Sequence, residues 1–262
     1  MSYIEIYNPW GFFSGCSVRL FRIIEFFNNN NKLPDVINCR RCFLRYNSTQ
    51  NDITFDFFKD YNKIINVNNF ECIIPIDDMC FSLSCYKSIP YQNINIYLKK
   101  YFEPSENIIE ISNYFITKYN INPYFCIGIY YRGTDKWMET RIDSYENFYK
   151  KLNEILLIEG NKNIQILIQT DTTQFLEYMQ NKCQDKNIII INEIKTSTTS
   201  NGVHNENTNE ENYFDAKKLL SIVLILSKCK YIICTSGNVS SWIMFNRGNA
   251  SNVYQNLNLE WV

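Results

Sequence analysis

From residue 124 onward, short apolar, β-branched runs alternate with longer segments of helical periodicity, and this alternation constrains the fold more than any other feature of the chain. Tyr124–Tyr131, Asn163–Gln169, Asn187–Asn192 and Tyr231–Cys234 read as strands. Ser144–Glu159, Gln174–Lys182, Tyr213–Lys228 and Asn238–Asn246 read as helices. In the first of these, Ser144 sits near the N-cap and Phe148, Leu152, Ile155 and Leu156 share one face. Strands that alternate with helices imply βαβ units around a parallel sheet. The expectation is an α/β fold with a Rossmann-like layer over residues 121–262.

The first half is less regular. Tyr3–Tyr7 reads as a strand, Gly11-Phe12-Phe13-Ser14-Gly15 as a glycine-containing turn, and Cys16–Asn28 as a helix with Val18, Phe21, Ile24 and Phe27 inward. Asn28–Asn31 reads as a solvated loop, Phe70–Ile76 as a strand, and Ser105–Tyr119 as a helix opening after Pro104. Strand, glycine turn and helix suggest a second, smaller Rossmann-like unit over residues 1–120. No internal repeat is present.

Charge is nearly balanced, 26 basic against 27 acidic residues. No overall pull toward nucleic acid or an anionic membrane follows, so any phosphate binding must be local. The N-terminus shows no basic and apolar leader, and no run of about eighteen apolar residues occurs. A cytoplasmic protein without a membrane span is expected. Its ten cysteines then read as reduced thiols, with Cys126 and Cys234 inside apolar runs and Cys39-x-x-Cys42 structural. Heavy use of Asn and Ile suits an AT-rich genome, such as that of a large DNA virus or a protist. The single histidine, His204, sits in the polar stretch from Thr196 to Asn212, which reads as a loop. A Ser-His-Asp hydrolase or a multi-histidine metal site is thereby disfavoured, and proton chemistry is expected from carboxylates, Lys or Tyr. No metal is expected: Asp77-Asp78 has no partner at metal-ligand spacing.

Polar residues gather at strand ends. Arg132, Thr134, Asp135 and Lys136 follow the first strand of the second half, Thr170, Asp171 and Thr172 the next. Thr235-Ser236-Gly237-Asn238 follow the last and lead into a helix whose first turn holds Ser240 and Ser241. In open α/β sheets the strand carboxyl ends face the ligand crevice. A guanidinium offers a planar fork to phosphate, and a helix N-terminus offers free N–H groups. Read singly, the same residues serve equally as a surface salt bridge and an N-cap.

The stretch Gly128-Ile129-Tyr130-Tyr131-Arg132-Gly133-Thr134-Asp135-Lys136 resembles the basic motif of the GDP-fucose-dependent fucosyltransferases, the α1,6-, α1,2- and protein O-fucosyltransferase superfamily. That motif runs His-x-Arg-Arg-(Thr/Gly)-Asp; Tyr130 replaces its His and Gly133 its second Arg. Gln169-Thr170-Asp171, the region Leu226–Asn238 and the loop Trp10–Cys16 are similar to further family elements. The resemblance implies a GT-B-like fold of two Rossmann-like halves with parallel sheets. It further implies inverting, metal-independent transfer of fucose from GDP-fucose, with no cofactor beyond the donor, to a hydroxyl of a glycan or protein acceptor. Arg132 would hold the donor phosphates with Lys136. Thr134, Asp171, Thr235, Ser236, Gly237, Asn238, Val239 and Ser240 would complete that side of the donor site. Gly11, Phe12, Phe13 and Ser14 would close over it from the first half. Glu139 is the first candidate base and Asp135 the second. The family's base-reading acidic residue falls at Ile222, with Asp215 two turns earlier. Three other readings stand beside this one: a nucleotide- or phosphate-binding module without turnover, a transferase using another nucleotide sugar, and an interaction protein built on the aromatic first half.

Overall fold

A computed structural model describes residues 1–47, 51–63, 70–72, 81–160 and 163–262. The chain opens with a two-stranded parallel sheet. β1 (Tyr3–Tyr7) is followed by α1 (Phe12–Asn30) and then by β2 (Val36–Arg41), which pairs with β1. The stretch expected as a glycine turn is instead the first turn of α1, with Gly11 at its N-cap. Phe12 and Phe13 are 3% exposed, and burying two aromatic rings outweighs the weak helix preference of glycine. At its far end α1 takes in Asn28–Asn30, where a loop was expected. Asn31 then adopts a left-handed φ of 50° and caps it.

Among the described residues this half holds three further α-helices: α2 (Thr54–Phe57), α3 (Tyr91–Tyr101) and α4 (Glu106–Lys118), the last with Ser105 at its N-cap. Of the strand expected over Phe70–Ile76, residues 70–72 belong to no strand, and the rest lies outside the described residues, as does Asp77-Asp78.

The second half runs β3 (Cys126–Tyr131), α5 (Tyr145–Ile158), β4 (Gln165–Thr170), α6 (Thr173–Lys182) and β5 (Ile188–Ile190). It continues through α7 (Val203–Glu206), α8 (Asn209–Leu226), β6 (Tyr231–Thr235), α9 (Asn238–Arg247), β7 (Val253–Leu257) and β8 (Glu260–Trp261). The sheet order is β5-β4-β3-β6-β7-β8, with every pair parallel except β7–β8. Chain order therefore reverses between β3 and β6. All six residues of β3 are buried, as befits a central parallel strand covered on both faces. Gly128 is needed there: a Cβ would lie 2.8 Å from Leu226 Cδ2, so α8 lies close on the sheet. α8 starts four residues before its expected Tyr213 because Thr208 and Glu211 form a capping box.

One apolar core joins α1, α3, α4, α8 and α9; a second fills the opposite face of the six-stranded sheet around Phe148, Phe175 and Ile129. Trp242 of α9, 1% exposed, meets Phe102 at 4.8 Å and Phe13 of α1 at 6.2 Å between ring centroids. Its indole N–H donates to Ser17 Oγ at 3.0 Å, and Ser17 Oγ donates to Asn238 Oδ1 at 2.8 Å. The N-terminal turns of α1 and α9 are thereby locked side by side. The nine described cysteines are unpaired. Among the described residues no helix is long and apolar enough to cross a membrane.

Candidate functional site

Where strand order reverses, the loops after β3 and β6 diverge and leave a crevice at the sheet's carboxyl edge. A cleft of about 150 Å³ opens there. Tyr130, Arg132, Lys136 and Glu139 line it from the β3 end, Gln169 and Asp171 from the β4 end, and Asn238 and Val239 from α9. Gly11–Ser14 of α1 form a further wall, and α8 contributes Asn212, Asp215, Ala216 and Leu219.

Arg132 is fixed at both ends. Its backbone N–H donates to Thr235 Oγ1 at 3.1 Å. Its guanidinium donates through Nη2 to Asp135 Oδ1 at 2.5 Å and lies 3.3 Å from Asp171 Oδ2 through Nη1. Burial acts to lower the Arg132 pKa, but the charges of Asp171, Asp135 and Glu139 and the neighbouring Tyr130 outweigh it, and the net shift is upward. The guanidinium is a permanent cation. Asp171 is the hub beneath it, accepting from Gly133 N at 2.9 Å, Thr134 Oγ1 at 2.6 Å and Thr172 Oγ1 at 3.0 Å.

Lys136 is only 2% exposed, and its ammonium pairs with Glu139. It lies against Gly237, where a Cβ would sit 3.1 Å from both Lys136 Cε and Nζ. Gly237 also takes φ 156°, a conformation open to glycine and costly for other residues. This glycine lets the chain turn from β6 into α9 directly over a buried cation. Gln169 Oε1 is buried in the cleft wall without a hydrogen-bond partner among the described residues.

No protein-family model matches the sequence, and no curated protein matches it. Solved structures do. The α-1,6-fucosyltransferase NodZ soaked with GDP-fucose matches at TM-score 0.53 and 10% identity, over 93% of this chain and 92% of that chain. NodZ co-crystallised with GDP matches at TM-score 0.51 and 11% identity, over 94% and 91%. NodZ from Bradyrhizobium matches at 0.52 and 11%, over 92% and 91%. The chain has the NodZ fold. At this identity the likeness is one of fold: mixed α/β, GT-B-like, with mostly parallel sheets.

Within the NodZ fold, the residues singled out in the sequence take different places. Arg132, Lys136, Glu139, Asp171, Asn238 and Val239 line the cleft together with Gly11, Phe12, Phe13 and Ser14. Asp135 and Thr134 stand behind them, on Arg132 and Asp171. Thr235 spends its hydroxyl on Arg132 N. Ser236 Oγ donates to Asn256 O at 2.7 Å and Ser240 Oγ to Thr235 O at 2.6 Å, so these two hydroxyls shape the turn rather than face the cleft. Gly11–Ser14 form a helix end, not a loop, and Phe12 N donates to Tyr46 OH at 2.7 Å. Ile222 is fully buried in the core, whereas Asp215 lines the cleft, bonded to Lys218 Nζ and Asn207 Nδ2 at 3.0 Å each. Tyr46, Asn207, Asn212 and His204 also line it, none of them singled out as site residues in the sequence. Only the polarity of the 196–212 stretch signalled His204 and Asn207.

Proposed function

We propose that the chain is an inverting, metal-independent glycosyltransferase that passes fucose from GDP-fucose to a hydroxyl of a glycan or protein acceptor. One observation carries the reading: a permanent guanidinium, anchored at both ends, stands at the strand-order reversal of the six-stranded sheet, beside the N-terminus of α9. The fold shared with NodZ, whose crystals were soaked with GDP-fucose, supports the same donor.

In this reading Arg132, Lys136 and the first turn of α9 receive the diphosphate. Their positive potential grows in value as charge develops on the leaving phosphate; one such preorganised donor is worth ~10²–10³ in rate, about 3–4 kcal/mol. Asp215 and Asn207 sit on the α8 side of the cleft, among Ile194, Ala216 and Leu219. A carboxylate and an amide beside apolar surface suit the flat, donor-bearing edge of guanine, which makes Asp215 the base-reading residue in place of Ile222.

A nucleotide-binding module without turnover is the second reading, favoured by the pairing of Glu139, the candidate base, with Lys136. One experiment separates them. Thermal shift against GDP, UDP and their sugars reports binding, and release of GDP from GDP-fucose in excess EDTA reports turnover. Stabilisation by GDP with turnover that survives EDTA is expected. Stabilisation alone supports the module, turnover that needs Mg²⁺ or Mn²⁺ removes the metal-independent mechanism, and no GDP effect removes both readings.

A further inference from the structure

His204 is the chain's single histidine, and folding carries it from a polar stretch of sequence into the cleft wall. α7 holds it, and Asn212 Nδ2 donates to its backbone carbonyl at 2.9 Å. Gly202 lets the ring approach the arginine motif. A Cβ built there would lie 2.7 Å from Asp135 Oδ2 and 2.7 Å from His204 Cε1. Carboxylate and imidazole thus both border one backbone position. Asp135 Oδ1 meanwhile accepts from Arg132, which leaves Asp135 between the guanidinium and the ring.

Among the described residues, each carboxylate lining the cleft already has a cation or several donors. Glu139 pairs with Lys136, Asp171 with Arg132 and three further donors, and Asp215 with Lys218 and Asn207. A hydroxyl approaching any of them would compete with these bonds. Burial pushes the phenols of Tyr130 and Tyr46 upward, Tyr46 to about 12, which makes them unsuitable bases near neutral pH.

We infer that His204 takes the proton from the attacking acceptor hydroxyl, with Asp135 as its positioning residue; this rests on the sugar-transfer reading above. The acceptor O–H bond breaks and its proton passes to the imidazole. The oxygen forms the bond to the anomeric carbon, and the bond from that carbon to the β-phosphate oxygen breaks. The electron pair leaves on GDP, opposite Arg132. The charges acting on the ring are those of Arg132 and Asp135 after β3, Arg45 from the turn Leu44–Tyr46, and Asp171 after β4. Burial first, then the Arg132 charge, hold the imidazole below its ordinary 6.5 against the two carboxylates, so it is neutral and able to accept a proton at pH 7.

The test is turnover of GDP-fucose by the full chain, read as GDP release with water or a glycan mixture as acceptor, across pH 4.5–8. Wild type should show an acid limb, because the base is lost on protonation. His204→Gln should lower turnover about 10²–10⁴-fold and abolish the limb, while its thermal stabilisation by GDP persists. Glu139→Gln, whatever its rate, should keep the limb. The lone imidazole also gives one Cε1–H resonance. Its titration midpoint should fall in Asp135→Asn, rise in Arg132→Ala, and the resonance should move on adding GDP-fucose. Wild-type-like turnover in His204→Gln, or a resonance indifferent to both variants and to GDP-fucose, overturns this assignment alone. A wild-type chain that binds GDP but turns over no GDP-fucose at any pH overturns the transferase reading, and this inference with it.

Discussion

The backbone N–H of Arg132 donates to the hydroxyl of Thr235 at 3.1 Å, joining two strand ends 103 residues apart in sequence. That bond ties the end of β3 to the end of β6 at the place where strand order reverses, before their loops part. A donor spanning the crevice would meet a cation whose backbone is already tied down.

Arg132→Ala should therefore abolish turnover and GDP-induced stabilisation while the fold persists, since the side chain stands at a cleft rim. It also leaves Asp135 and Asp171 without their cation, so some stability, on the order of 1–3 kcal/mol, is lost as well. Arg132→Lys should rescue little, because a point charge cannot serve two carboxylates and a diphosphate as a fork does. Calorimetry with GDP and circular dichroism check both; near-wild-type GDP affinity in either variant removes Arg132 from the phosphate site.

Gly237→Ala should lose both stability and GDP binding. Its φ of 156° strains any other residue, and a Cβ 3.1 Å from Lys136 Cε and Nζ would push the buried ammonium aside. A cost of about 1–3 kcal/mol is expected from backbone strain alone, read as a lowered urea midpoint. A variant of unchanged midpoint would show that the turn over Lys136 relaxes freely.

The two glycines at the start of α1 should behave differently. At Gly15 a Cβ would come within 3.0 Å of Phe43 Cε1 and 3.1 Å of Cys42 O, so Gly15→Val overpacks the core and should cost about 1–3 kcal/mol. At Gly11 the nearest atom is Tyr46 OH at 3.8 Å. Gly11→Val should keep the fold and impair turnover alone, by crowding the cleft. Denaturant melts and turnover of the pair settle it; equal loss of stability in both would place Gly11 in the core.

Stability should carry a signature of His204. Its folded pKa lies below 6.5, so the unfolded chain takes up the proton first as pH falls. The contribution is fully present above about 6.5 and is lost as pH drops through the folded value. Thermal midpoints of His204→Gln should fall less than those of wild type between about pH 6.5 and 5. Parallel curves would mean that the ring is solvated.

Much of this site was legible where periodicity was sharp. β3, β4 and β6 are dense in Ile, and their ends alone placed Arg132, Asp171 and Asn238 at one crevice. The first turn of α1 was not legible, because Gly11 and Gly15 punctuate like a loop, and only packing of Phe12 and Phe13 against Phe43 and Trp242 explains the helix. Nor were β7 and β8: in β7 the polar Gln255 is buried because its amide donates to Ser236 Oγ, and Asn256 because its amide donates to Asp143 Oδ2. On α8, Asn212, Asp215, Ala216 and Leu219 form one stripe toward the cleft. That stripe runs on to Ile222 only after the helix has passed beneath the sheet, which is why the expected base-reading position is core and Asp215 is not. His204 needed the whole chain: nothing local announces that residues 202–204 will fold over Asp135.

The six-stranded sheet ends in very short rungs on both flanks, three residues in β5 and two in β8. A stub of this length offers an incoming strand almost no ladder to extend. Since the cleft opens along the strand tips and not along these flanks, an open mouth there does not invite a second copy of the chain to zip onto the sheet beside it.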